Sequence, residues 1–467
     1  MSVSLMSSKL FGGKNRIDAG GNGLIHGTRA VDNDIIGFDP YSPIKLSGNF
    51  KGEKRSFSIS EDVLRTHLLI MGMIQRGKTN VIMEIARQLK AKIRDEDVII
   101  IFDTKQDFIR ELGCGRNDAI VSASGFDSTD LKRFNRYFKT WNIFREVTLN
   151  GTSCEKVLML SQEICHDLFD DKTASSMPYF ANAARSVTAA YLTAAVLNHS
   201  KARTNEGEGG TLDFLDNGVF KNDLSTAGYE EFSKVADMNS ELRYVRRIID
   251  ETMTNDARGV LSEVATALND CFTGEFSKRG DFSFGEFIRN AGGRTLYIEY
   301  DMSIGETLCP MYKMFFDIVL REAMGTRSTG GKVYVILDEI RLLPKLRHLN
   351  DALNFGASKG IRLIAGCQSV AQLEEAYGKS GKNSTVAGFG SLISFYPNDA
   401  ASSEYVRSAF GKNMYAELIN DNGVIKSEPK ERYVIEDWEL KELGLGEAIV
   451  RLNGGLPFKF KFDRYGK

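Results

Sequence analysis

The stretch RTHLLIMGMIQRGKTNVIMEIARQLK, Arg65–Lys90, decides how the rest of the chain is read. His67–Met71 is a short apolar run of strand length. From Asn80 to Lys92 apolar residues recur at helical spacing. Between them Gly72-Met73-Ile74-Gln75-Arg76-Gly77-Lys78-Thr79 fits GxxxxGK[ST]. Gly72 and Gly77 let backbone wrap closely around phosphate oxygens without a Cβ in the way. Successive N–H groups and the start of the next helix supply positive potential. Lys78 neutralises charge on the outer phosphates, and Thr79 offers a hydroxyl to Mg²⁺. A structural glycine turn is the alternative, but the placement between strand and helix is the context a phosphate loop requires. Gly72, Gln75, Arg76, Gly77, Lys78, Thr79 and Asn80 are therefore the expected nucleotide-binding residues, with ATP and Mg²⁺ as cofactors.

Such a loop needs a carboxylate for the metal and a group to activate water. KVYVILDEI, from Lys332, supplies both. Asp338 ends an apolar strand and can reach Mg²⁺ through water; Thr79 and Asp338 are the expected metal residues. Glu339 is placed to act as general base. Alone, a strand-terminal Asp-Glu is an ordinary strand end; the phosphate loop changes that reading. Gln368 follows the next strand-like run, IRLIAGCQS. In a parallel sheet the carboxyl ends of neighbouring strands open on one crevice. Gln368 can then sense the terminal phosphate, or simply cap its strand. Lys78, Asp338, Glu339 and Gln368 form the expected catalytic set. Thr104-Lys105-Gln106-Asp107 imitates a guanine-reading motif, but it precedes the acidic strand by more than two hundred residues, the wrong order for that role.

Six short apolar runs have strand character: His67–Met71, Val98–Phe102, Thr295–Tyr300, Val333–Leu337, Ile361–Gly366 and Leu392–Tyr396. Helix-like segments separate some of them, at Asn80–Lys92, Pro310–Ala323, Leu346–Phe355 and Ser403–Phe410. This alternation predicts an α/β fold with a mainly parallel sheet. The second and third runs lie almost 200 residues apart, across a stretch that is mostly helical in pattern, including ELRYVRRIIDETMTND from Glu241. An all-α domain inserted into an α/β core follows. The expected divisions are a loose segment over 1–43, nucleotide-binding parts over 44–150 and 291–467, and the all-α insertion over 151–290. KARTNEGEGGTLDF, from Lys201, reads as an exposed loop inside it.

The chain has 467 residues, enough for about three domains. Lys+Arg is 60 against Asp+Glu 62, a formal charge of -2, so a nucleic-acid surface would have to be a local patch. The six cysteines show no CxxC spacing, which argues against a zinc site or a disulfide framework. No apolar run reaches the ~18 residues of a membrane span. A cytoplasmic protein is expected.

Together these segments resemble the type IV secretion and conjugation coupling proteins, the TraD/TraG-like ATPases of the FtsK/HerA P-loop superfamily. The resemblance runs from about Ile44 to Gly411. It rests on RTHLLIMGMIQRGKT, on VIIIFDTKQDF with its Asp-x-Lys ending, on KTWNIF, and above all on YVILDEIRLLPKLRHLNDALNFGASKGIRLIAGCQSVAQLEEAYG. It implies a RecA-like domain, a homo-hexameric ring, and ATP hydrolysis that drives DNA through a central channel. The implied partners are DNA (single-stranded or relaxase-bound), a relaxase or protein cargo, and a separate membrane or channel partner. The implied location is peripheral to the inner face of the cell membrane.

Three departures stand out. The family's N-terminal transmembrane helices have no counterpart here. Gln75 and Arg76 stand where the family favours Gly and a small residue. Ala357 occupies the position of an arginine that serves the neighbouring subunit's nucleotide, leaving Lys359, Arg362 or Arg341 as substitutes. The alternatives are a nucleotide-gated cargo adaptor with little turnover and a HerA-like translocase partnered with a nuclease. Arg243, Arg246, Arg247, Lys345, Arg347 and Lys359 are candidate phosphate contacts, or solvated faces. FKFKFDRYGK, from Phe458, reads first as an amphipathic strand and second as a nucleic-acid surface.

Overall fold

The computed structural model describes residues 23–30, 33–35, 39–125, 132–173, 178–206, 215–325, 330–421 and 424–465. Most of the expected loose N-terminal segment and residues 207–214 of the expected exposed loop lie outside them. The chain divides into two compact units. One comprises residues 1–92, 336–341 and 362–467, the other residues 93–335 and 342–361.

In the first unit the strand order is Glu53–Ile59, Ile44–Phe50, Phe458–Phe462, Glu447–Arg451, Ser391–Ser394, Leu68–Met71, Ile361–Cys367, then the end of Val333–Leu337. Leu68–Met71 pairs in parallel with strands on both sides, and all four of its side chains are buried. That is why the run is apolar without alternation. The antiparallel flank alternates instead. Ile44–Phe50 turns into Glu53–Ile59 through Lys51 and Gly52, whose φ angles of 51° and 88° suit a two-residue hairpin turn. Phe458, Phe460 and Phe462 face inward and ring Phe57 at centroid distances of 5.3, 5.0 and 6.1 Å. FKFKF is thus the amphipathic strand expected, and Lys459 pairs with Glu447 at 3.2 Å. A small sheet of Gly23–His26, Lys412–Asp421 and Val424–Tyr433 completes this unit.

In the second unit Val98–Asp103, Arg294–Glu299 and Ala119–Val121 are parallel neighbours. The helices Cys154–Thr173, Pro178–Glu206 and Asn255–Cys271 follow the helical pattern read between them. Around Glu241–Asp256 the fold departs from a continuous helix. Ser240–Arg247 is a 3₁₀ helix, and the Thr252 and Thr254 hydroxyls bond the Asp250 carboxylate, turning the chain. Thr254 then caps the next helix. Trp141, fully buried, packs against Phe272 and Phe315, and Phe284 stacks on Phe315 at 4.4 Å. All six cysteines are free. Among the described residues no helix is long and apolar enough to cross a membrane.

Candidate active site

The buried strand Leu68–Met71 delivers the chain into the glycine loop, and the helix Lys78–Lys92 leaves it. Gly72 and Gly77 have φ of 142° and 122°. A Cβ at Gly72 would lie 2.6 Å from the Phe395 Cβ, and one at Gly77 3.0 Å from the Phe395 Cε1. Phe395 thus backs the loop, and only glycine fits at both places. The Gly72 N–H donates to the Cys367 carbonyl at 3.2 Å, and the Met73 N–H to the Tyr396 carbonyl at 2.9 Å. The Gly446 N–H donates to the Arg76 carbonyl at 3.1 Å. These bonds fix a concave run of backbone before any ligand arrives.

Lys78 is 7% exposed, and its ammonium donates to the Gly72 carbonyl at 2.7 Å and the Met73 carbonyl at 3.4 Å. It lies across the loop, where an anion in the cradle would compete for it. The Thr79 hydroxyl donates to Asp338 Oδ1 at 3.2 Å. Two oxygens of hard-cation type, 259 residues apart in sequence, therefore share one spot. Asp338 and Glu339 are each 6% exposed. Burial pushes Glu339 up to about 7; Lys78 and Arg341 pull it down, Asp338 pushes further up, and a bond from Gln368 pulls down again. Glu339 Oε1 is buried with no hydrogen-bond partner, and the Arg341 Nε lies 3.9 Å from it. Burying an acceptor unpaired is costly unless something completes it.

The cradle that a Cβ would fill and the unpaired oxygen of Glu339 both fit a bound triphosphate, its metal and a water. Lys78, Thr79, Asp338, Glu339 and Gln368 come together. Two other loop residues are engaged. Arg76 lies over the Tyr396 ring, 4.6 Å from its centroid. Asn80 donates to the Asp463 carbonyl at 2.9 Å and accepts from the Tyr465 N–H, so its amide ties the helix to the C-terminal segment.

Several basic residues have partners that sequence reading missed. Arg347 binds Glu163 at 2.9 Å and Asp167 at 2.8 Å, which removes it as a free phosphate contact. Arg246 pairs with Asp237 at 2.6 Å, whereas Arg243, Arg247, Lys345 and Lys359 are exposed. Arg362 is buried against Glu61 at 3.3 Å and cannot reach out to a neighbouring nucleotide. Phe395 and Tyr396 also belong to the loop's surroundings, and nothing local to their segment announces that they pack against it.

A family model described as type IV secretion-system coupling protein DNA-binding domain matches residues 55–433. Curated proteins yield no match. Among solved structures, the chain is similar to the bacterial conjugative coupling protein TrwBdeltaN70 in its trigonal form with sulphate. The identity is 18% over 98% of both chains, with a TM-score of 0.68. It is also similar to plasmid coupling protein TrwB in complex with ADP and Mg²⁺, at 20% identity over 87% of both chains and a TM-score of 0.64. VirB4 of Thermoanaerobacter pseudethanolicus aligns at 13% identity over 92% of this chain and 99% of that one, with a TM-score of 0.50. At these identities the likeness establishes the fold: a RecA-like α/β core with a helical domain, as the sequence led us to expect.

Proposed function

The chain belongs to the type IV secretion-system coupling protein family, and from that premise we propose that it is an ATP-hydrolysing motor that moves DNA or nucleoprotein cargo towards a secretion channel. The observation that carries this reading is the convergence of Thr79, Asp338 and the unpaired Glu339 oxygen on the glycine loop. Backbone N–H groups of Gly72–Thr79 bind the phosphates. Lys78 exchanges the Gly72 carbonyl for phosphate oxygen. Thr79 and Asp338 would hold the cation. Bound Mg²⁺ neutralises charge on the outer phosphates. Glu339 Oε1 takes the proton of the attacking water, and Gln368, bonded to the same carboxylate, fixes its orientation. The related TrwB complex with ADP and Mg²⁺ supports this choice of ligands.

Ala357 supplies no arginine to a neighbour. Arg341, beside Glu339, can neutralise developing charge within the same subunit, which favours turnover over a nucleotide-gated adaptor. Ring assembly, a relaxase or protein cargo and a membrane-bound channel partner belong to the same reading. So does the division into nucleotide-binding parts 44–150 and 291–467 around a cargo-facing helical part 151–290. The test is ATP hydrolysis with and without single-stranded DNA. DNA should stimulate the wild type and leave Lys78→Ala at background; equal rates in the two proteins would sink the proposal.

A further inference from the structure

In the second unit three chain segments bring four cations to one polar cleft of about 800 Å³, lined by Arg116, Arg136, Lys139 and Arg294 together with Asp118 and Tyr137. The backbone explains the convergence. Ala119–Val121 runs parallel to Arg294–Glu299, so their amino ends lie side by side. Asp118 clamps them: its Oδ1 accepts from the Thr295 N–H at 2.7 Å and its Oδ2 from the Gly115 N–H at 2.6 Å. The Lys139 N–H donates to the Ile120 carbonyl at 2.8 Å, which lays the segment carrying Arg136 and Lys139 along the same strand.

These cations are poorly compensated. Among the described residues of the lining Asp118 is the one carboxylate, and its oxygens accept from the Thr295 and Gly115 N–H groups. Among the described residues none of the four cations has an ion pair. Arg294 lies 4.0 Å over the Phe287 ring and donates to the Phe287 carbonyl at 3.1 Å, while its Nε is buried with no hydrogen-bond partner. Burial holds the Arg294 guanidinium below the usual guanidinium pKa, the direction expected when no anion offsets it. Half-buried guanidinium groups are favoured where an anion pairs with them, and their planar fork matches phosphate oxygens.

We propose that this cleft binds a small soluble ligand carrying two or three phosphate groups. Its volume falls within the range of small-molecule sites, about 300–1,000 Å³, and exceeds what one phosphate fills. Among the described residues, four cations against one carboxylate match a di- or triphosphate. Among the described residues of the lining the one aromatic is Tyr137, which is 7% exposed and offers no platform for stacking bases, an argument against single-stranded nucleic acid.

Sodium tripolyphosphate is the probe, titrated by calorimetry into the full chain carrying Lys78→Ala, so that the glycine loop is disabled. One site per chain should remain. Adding Arg294→Gln should weaken it about tenfold, the size of one charge-assisted hydrogen bond. Because Arg294 is half-buried, Arg116→Gln with Lys139→Gln provides a second arm at positions remote from the packed core. That pair should abolish the heat and the ligand-induced rise in melting temperature, while ATP hydrolysis in the Lys78 protein stays unchanged. Persistence of the site in that double variant would overturn the proposal. So would binding of a single-stranded oligonucleotide or of anionic lipid vesicles, lost in the same variants, without any response to tripolyphosphate.

Discussion

Glu339 and Glu146 are both buried carboxylates, and burial lifts both to about 7. Their surroundings differ. Glu146, 0% exposed, accepts from the Trp141 indole at 3.1 Å, the Ser283 hydroxyl at 3.0 Å and the Phe284 and Gly285 N–H groups at 2.5 and 3.2 Å. Every direction around it is used, and it fastens Phe284–Asn290 to the segment around Trp141. Glu339 has Gln368 on its carboxylate, a cation 3.9 Å away and one oxygen with no hydrogen bond at all. A raised pKa alone therefore marks neither as catalytic. The vacant acceptor is what separates them, because only Glu339 has an oxygen left to receive a proton from water.

The largest expected effect follows from that vacancy. Glu339→Gln should lower kcat for ATP hydrolysis by about 10²–10⁴, the usual weight of a general base, with nucleotide affinity and melting temperature retained. Steady-state kinetics beside calorimetry would show it, and a loss confined to KM would break the comparison. Glu146→Ala should do the reverse. Stranding four donors, it should cost about 3–5 kcal/mol in urea unfolding while hydrolysis per folded chain is unchanged.

Titration gives the next effect. Glu339 works as a base only when ionised, so hydrolysis should climb as pH rises through about 7, and Glu339→Gln should remove that limb. Stability runs the other way. Both native carboxylates keep protons that the unfolded chain releases above its ordinary value near 4.5. Their contribution is complete below that value and is lost as pH rises through about 7, at up to about 1.4 kcal/mol per pH unit per group. Melting curves across this range should flatten in Glu146→Gln; an unchanged slope would mean the four donors already hold that carboxylate ionised.

The same contrast separates what was legible in the sequence from what was not. Leu68–Met71, Lys78–Lys92, Val333–Leu337 and Ile361–Cys367 announce themselves through local apolar pattern, and the glycine loop through spacing. That made Lys78, Thr79, Asp338, Glu339 and Gln368 readable as one site. Pairings between distant segments left no local trace. PKLRHLN looks like a basic surface until Asp167, 180 residues away, takes up Arg347. Arg362 looks available until Glu61 claims it. Lys412–Asp421 and Val424–Tyr433 alternate charged and apolar residues too loosely to declare a hairpin. The loop-backing Phe395 sits in a run read only as a strand.

Arg76 offers the smallest and sharpest test, because it stands to Lys78 much as Glu146 stands to Glu339. Both are cations of the glycine loop. Lys78 donates to the loop's own carbonyls, which a phosphate can replace, whereas Arg76 rests 4.6 Å over the Tyr396 ring and its carbonyl is tied to Gly446. A stacked guanidinium at such a half-exposed place contributes about 0.5–1 kcal/mol. Arg76→Ala should therefore lower the melting temperature by a few degrees and raise KM for ATP less than about tenfold, with kcat nearly intact. Arg76→Lys should recover part of the stability, since an ammonium also prefers the ring face. A KM rise well beyond tenfold at unchanged stability would mean that Arg76 leaves Tyr396 to grip phosphate, and the loop would then have two working cations.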